Sequence, residues 1–217
     1  MIIRIDPALQ EVLPDFHVIA YTMDVQFKTN DQTTLAIKTI EKKIKEEYSL
    51  EDILNIPLIK TARDSYKKLG KDPSRYRLAC ESLLRRLVKG YGLTPINNIV
   101  DAGNLLSIAL FRSTCIADAA LIKGDVRIRI GTNADQYEGI GRGKINVSRI
   151  PLYEDSHSPF GSPTSDTART SIHANTKTIL VMVICFDQEE TNKIKEETCL
   201  TFQHFAAAGN IQEVQVI

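Results

Sequence analysis

Thr94-Pro-Ile-Asn-Asn-Ile-Val-Asp-Ala-Gly-Asn104 is the stretch on which the reading of this chain turns. Pro95, Asn97, Asn98, Asp101, Gly103 and Asn104 are interleaved with Ile96, Ile99 and Val100. That is too polar for an ordinary core helix and too regular for a loop. Pro95 presets the turn before a helix, and Asn97 or Asn98 can cap first-turn N–H groups that have no intrahelical partner. Beyond the cap, Ile99, Val100, Leu105, Leu106, Ile108, Ala109 and Leu110 are apolar over most of the circumference, which predicts burial on several sides. Asp101 and Asn104 lie three apart and are expected on one face. Buried amides and carboxylates require partners, so that face carries either an internal hydrogen-bond network or a ligand.

Working outward, the 217 residues suffice for one large domain or two small ones, and 43% apolar content supports a real core. Twenty-seven basic residues balance 27 acidic ones, which excludes a global polyelectrolyte and leaves nucleic-acid binding to local asymmetry. Such asymmetry occurs between Lys60 and Lys89. There Lys60, Arg63, Lys67, Lys68, Lys71, Arg75, Arg77, Arg85, Arg86 and Lys89 face only Asp64, Asp72 and Glu81. Two helices are predicted, near Ile59 to Leu69 and Arg77 to Lys89, joined by Gly70-Lys-Asp-Pro73. Leu83, Leu84, Leu87 and Val88 form the inner stripe of the second, and its arginines point outward. A contact with a polyanion competes here with a merely solvated face.

The remaining elements follow from period and punctuation. Residues 1 to 30 read as short strands around Pro14-Asp15, with Asp24 to Phe27 alternating at period two. Thr33 to Tyr48 reads as an amphipathic helix, and Pro57 breaks the pattern after it. Val126 to Ile130 alternates as a strand. Gly139-Ile-Gly-Arg-Gly143 lacks the Lys-Ser or Lys-Thr of a phosphate loop and is read as a hairpin or bulge. Arg149 to Tyr153 and Ile179 to Phe186 read as strands, the second fully buried. Glu189 to Ala207 reads as a closing helix before a terminal strand at Ile211 to Ile217.

The chain's start carries no apolar core with a cleavage site, and no apolar run has membrane-spanning length, so a cytosolic protein without membrane contact is expected. Cys80, Cys115, Cys185 and Cys199 show neither paired spacing nor nearby histidine pairs, so no metal site, cofactor or disulfide framework is expected. Between Ser158 and Thr170, hydroxyls at Ser162, Thr164, Ser165, Thr167 and Thr170 accompany Asp166 and Arg169. A tight loop of this kind can hold an anion, a ribose or a developing oxyanion, or can be an ordinary polar turn. It is not the Gly-x-Ser-x-Gly nucleophile elbow.

Pro95 to Asn104 resembles the Pro-Ile-Asn-Asn-Val-Val-Asp-Ile-Thr-Asn segment of the B3/B4 domain in the bacterial phenylalanyl-tRNA synthetase beta subunit. The likeness continues without a gap. Leu-His-Ala-Phe-Asp of that domain falls on Thr114-Cys-Ile-Ala-Asp118, and Lys-Gly on Lys123-Gly124. Arg63 to Gly70, Tyr137 to Gly141 and Gly161 to Asp166 resemble free-standing relatives of the domain. The resemblance covers roughly residues 60 to 187. It implies a three-layer α+β sandwich and a single domain, with residues 1 to 55 as a strand-helix extension.

It also implies an editing role, in which an ester between a wrong amino acid and tRNA is hydrolysed in trans. A tRNA-binding module of the same fold without chemistry is the alternative. On this resemblance Asn104 and Asp101 position the substrate, while Ser162 and Thr164 contact the oxyanion or ammonium. Asn97, Asn98, Gly103, Cys115, Gly139, Ser165 and Asp166 complete the pocket. Arg63, Lys67, Lys68, Arg75, Arg85, Arg86 and Lys89 face the backbone of the aminoacylated tRNA. Two departures matter: the synthetase's editing His is Cys115 here, and its Gly-Gly-Glu-Glu loop aligns with Asp166-Thr-Ala-Arg169. Tyrosine specificity is therefore not carried over, and no segment signals a synthetase catalytic core.

Overall fold

In the computed structural model, which describes residues 1–29, 31–141 and 143–217, strands and helices follow in this order. They are β1 (Ile3–Ile5), α1 (Pro7–Val12), β2 (His17–Asp24), α2 (Asp31–Glu47), α3 (Leu50–Asn55), α4 (Pro57–Lys68), α5 (Ala79–Val88), α6 (Asn98–Leu110), β3 (Thr114–Asp118), β4 (Val126–Ile130), β5 (Gln136–Gly139), β6 (Gly143–Asn146), β7 (Pro151–Glu154), β8 (Pro159–Ser162), β9 (Ser165–Asp166), β10 (Thr178–Cys185), α7 (Thr191–Ala206) and β11 (Gly209–Glu213). Arg142, in the expected glycine-rich turn, and Asn30 lie outside the described residues.

The strands form a sheet in the order β11-β2-β10-β3, a second in the order β1-β4-β7-β8-β9, and a separate β5-β6 ribbon. β10 divides the core. Ile179, Val181, Val183 and Cys185 pack with Ile99, Ala102, Leu106 and Phe202 of α6 and α7. Leu180, Met182 and Ile184 point the other way, toward Ile3, Val126, Ile128, Leu152 and the helices α3 to α5. The period-two alternation of a strand thus feeds two cores at once. A helical layer, a sheet, and a layer made of the second sheet with its helices give the three-layer α+β sandwich.

Several boundaries differ from the sequence reading for identifiable reasons. Between the first strand and the Pro14-Asp15 turn, where no element was expected, α1 forms, because the Asp6 carboxylate accepts from the Ala8 N–H and Pro7 occupies the first turn. Asp-Pro here is a helix start. Pro57 likewise opens α4 instead of ending a helix, while α3 before it is opened by a Ser49–Asp52 capping box. β2 stops at Asp24, so the alternation to Phe27 is not strand. The expected terminal strand is shared between sheets. β11 pairs with β2, whereas Ile3 donates to the Gln215 carbonyl and accepts from the Ile217 N–H beside β1. The Ser158 to Thr170 stretch is not an open loop but the β8-β9 hairpin and a short 3₁₀ turn.

α6 begins where the asparagines predicted. Asn97 accepts from the Ile99 and Val100 N–H groups. Asn98 accepts from the Lys28 N–H and donates to the Gln26 and Phe205 carbonyls, which ties the exit of β2 and the end of α7 to the start of α6. Asn98→Ala strands these backbone groups and is expected to cost about 2–4 kcal/mol. Urea denaturation checks this; a midpoint equal to wild type would deny the asparagine its tethering role.

Candidate pocket and cationic cleft

Two concavities flank the β5-β6 ribbon. The first, of about 290 Å³, is walled by Ile96, Val100, Ile116, Ile140 and Ile172, with Asn97, Asn104, Thr114, Asp166 and Ser171 as its polar groups. α6 supplies Asn97, Val100, Gly103 and Asn104 on one face, and β3 supplies Thr114 and Ile116 from alternate positions. Gly103 is required by this contact: a Cβ there would sit 1.7 Å from Ile116 Cδ1. The Thr114 hydroxyl donates to the Gly103 carbonyl at 3.1 Å and fixes the helix against the strand.

Asp166 forms the floor of this pocket at the meeting of two sheet edges. β9 ends one sheet and β3 the other. The Cys115 thiol and the Ile116 N–H lie on the side of the Asp166 carboxyl and favour its ionised form. Gly161 lets the carboxyl lie flat on β8, since a Cβ there would be 2.7 Å from Asp166 Oδ1. Burial is the dominant influence and pushes this carboxyl up to about 7, against the pull of these two groups. Burial, reinforced by the neighbouring Asp166 charge, holds the Cys115 thiol well above its ordinary range. Cys115, expected in the pocket, instead faces the core on the other side of β3 and lines no part of the concavity, so it is a protonated buried thiol and not a thiolate nucleophile.

The second concavity is an open cleft of about 650 Å³ lined by Arg75, Arg77, Arg85, Arg86, Lys89 and Lys144, with no acidic side chain on its walls. Tyr76, Tyr91 and Thr164 complete the lining together with Ser82, Ile145 and Asn146. Among the described residues none of these six cations makes an ion pair, whereas Arg4, Arg63, Arg112, Arg127, Arg129 and Arg169 all do. Among the described residues, four of the five arginines without an ion pair line this cleft, the fifth being Arg149.

The B3/4 domain model matches residues 61–204 of the 217. The chain belongs to the B3/4 domain family. Over 65 residues it is 32% identical to the phenylalanine–tRNA ligase beta subunit of Bartonella quintana, a match covering 30% of this chain and 8% of that protein. All of the chain superposes on an N-terminal fragment of the phenylalanyl-tRNA synthetase beta subunit from Pyrococcus horikoshii, with a TM-score of 0.54 and 10% identity. That likeness is one of fold, and the chain spans 51% of the fragment. Among the described residues no helix of this B3/4 domain is long and apolar enough to cross a membrane.

Of the residues singled out from the sequence, the pocket gathers Asn97, Gly103, Asn104 and Asp166, and the cleft gathers Arg75, Arg85, Arg86, Lys89 and Thr164. Others are engaged elsewhere. Asp101 is buried and outside the pocket lining, accepting from the Ile96 N–H at 3.0 Å and the Thr33 hydroxyl at 3.3 Å; burial raises its carboxyl. Asn98 is consumed by its backbone partners. The Ser162 hydroxyl meets the Tyr137 phenol at 2.7 Å, and the Thr164 hydroxyl meets the Tyr66 phenol at 3.0 Å, so both stabilise the β8-β9 hairpin. Ser165 accepts at its carbonyl from Tyr137 and lies over Gly139, whose added Cβ would meet Ile145 Cδ1 at 2.2 Å.

The basic set also divides. Arg63 binds the buried Glu81 carboxylate and the Pro73 carbonyl, and Lys67 pairs with Asp64. Lys68 is exposed on α4 but outside the cleft lining. Lys71, counted in the positive excess, is buried on the Asn146 and Ser148 carbonyls with its ammonium 3.7 Å from the Tyr76 ring centre; burial lowers it to about 8. Sequence reasoning missed Lys144, Tyr91 and the aliphatic walls. Alternation around Cys115 was a usable signal for Thr114 and Ile116, because flanking strand residues take the opposite face.

Between pH 3.8 and about 7 the folded chain retains the Asp166 proton while the unfolded chain releases it. The folded state then binds more protons, so this group's contribution to stability falls as pH rises through that window. The stability difference between wild type and Asp166→Asn is expected to decline from pH 4 to pH 7 and then level off. Thermal melts across that range measure it, and parallel curves would refute the raised ionisation.

Proposed function

We propose that this protein is a free-standing aminoacyl-tRNA deacylase that removes a wrongly attached amino acid in trans. The observation carrying this reading is the adjacency of a cation-only cleft and a carboxyl-floored aliphatic pocket across a single β ribbon. Ile145 borders the cleft and Ile140 the pocket. A polyanion following the cleft would bring an attached acyl group to the pocket mouth, where Asn104 supplies an orienting amide.

The chemistry required is modest because an aminoacyl ester is already activated. Water adds to the ester carbonyl carbon, the acyl–oxygen bond to the ribose breaks, and the proton lost by water is returned to the departing ribose oxygen. Asp166, with a carboxyl near 7, is suited to take and return that proton. Walls of isoleucine and valine, with no aromatic ring among them, suit an aliphatic acyl side chain. The family relationship to a tRNA-ligase subunit supports tRNA as the polyanion.

A second reading, a tRNA-binding module without chemistry, draws support from the protonated Cys115 and from the Ser162 and Thr164 hydroxyls being held by Tyr137 and Tyr66. Deacylation assays on a panel of correctly and wrongly charged tRNAs separate the two. The deacylase is expected to release one mischarged class selectively, and Asn104→Ala to slow release by roughly 10- to 1,000-fold with tRNA affinity nearly unchanged. Tight tRNA binding with no ester cleaved would leave the module. Charge reversal at Arg85 and Arg86 is expected to weaken tRNA binding and flatten its salt dependence; an unchanged slope would take both arginines out of the interface.

A further inference from the structure

Tyr91 is an aromatic side chain left in the open on a rigid support. It is 69% exposed, the most exposed of the large hydrophobic side chains, and stands on the wall of the cationic cleft. Its backbone is held by the closing turn of α5. The Gly90 N–H donates to the Leu87 carbonyl and the Tyr91 N–H to the Arg86 carbonyl, with Gly90 at φ +75°, which is the paired-bond arrangement of a Schellman cap. Arg86 Nε then donates to the Gly92 carbonyl at 2.6 Å and secures the far side of the turn, where Gly92 has φ +63°. Residues at this position after a helix commonly fold an apolar side chain back onto the last turn. Here the ring stands among Arg85, Arg86 and Lys89 instead.

We infer that the cleft binds an unpaired polynucleotide strand, with the Tyr91 ring stacking on one base while the surrounding cations follow the phosphates. The inference rests on the polyanion reading of the cleft proposed above and narrows it to single strands. Cations alone are indifferent to whether a nucleic acid is paired, because they meet phosphates in either form. A stacking ring is not indifferent: it needs a base face that a duplex keeps covered. Tyr76, the other ring in the cleft, already lies against the Lys71 ammonium, so Tyr91 is the ring free to receive a base.

The test is fluorescence anisotropy with a labelled 12-nucleotide single-stranded RNA, the DNA strand of the same sequence, and the corresponding RNA duplex, each at 150 mM salt. Both single strands are expected to bind on the order of 10-fold more tightly than the duplex, and Tyr91→Ala to erase that preference. Tyr91→Phe, which keeps a stacking face, is expected to retain it. Because the chain contains no tryptophan, Tyr91→Trp introduces a sole indole, whose emission is expected to be quenched by single strands and not by duplex. RNA bound far more tightly than DNA would place a ribose hydroxyl contact beside the stack. A preference that survives Tyr91→Ala, or equal binding of strand and duplex, would overturn the inference and leave the polyanion reading standing. Failure to bind any of the three would remove both.

Discussion

β10 has no side that faces water. Its seven residues from Ile179 to Cys185 are essentially fully buried, four serving the core under α6 and α7 and three the core beneath the second sheet. A strand buried on both faces has to be covered on both, and the rest of the architecture follows from that requirement. β2 and β3 flank it as antiparallel neighbours, and their alternation repeats the same division: Ile19, Tyr21 and Met23 on one side, Val18, Ala20, Cys115 and Ala117 on the other. A one-residue slip in either pairing would exchange the two cores wholesale, so the register is strongly specified.

That division also explains where the pocket lies. β3 is an edge strand, and an edge strand has unpaired backbone donors on its outer side. β9 brings Asp166 to that edge, where its carboxyl lines the concavity between β3 and α6. The same side chain carries the raised ionisation of the pocket. Gly103 and Gly161 make room for it, one by admitting Ile116 against the helix and the other by admitting the carboxyl against β8.

Electrostatically, the chain is neutral as a whole and polarised in detail. Most arginines outside the cleft are satisfied by a carboxylate, several of them by fork-like double contacts such as Arg112 with Asp187 and Arg169 with Asp155. The unpaired cations of the cleft are drawn from three separate segments, Arg75 to Arg77, the end of α5, and Lys144 on β6. Converging cations without counter-charges repel one another, and that cost is offset when an anion occupies the space between them.

The amino-acid sequence alone carried the polar-capped buried helix, the fully buried strand and the local excess of positive charge, because each rests on period, capping chemistry or composition over neighbouring residues, whereas the α+β class came with the family resemblance. The resemblance of Pro95 to Asn104 carried the family. Short-range chemistry misled where one signal has two meanings: Pro57 can end one helix or open the next, and only the cap geometry distinguishes them. Which polar side chains are available was decided by the tertiary structure alone. Asp101, Asn98, Ser162, Arg63 and Lys71 all have the chemistry of site residues, yet their hydrogen bonds reach partners distant in sequence: Thr33, Phe205, Tyr137, Glu81 and Ser148. Lys144 and Tyr91 had no local signal for the cleft, because a shared concavity is a property of how separate segments pack and not of any one of them.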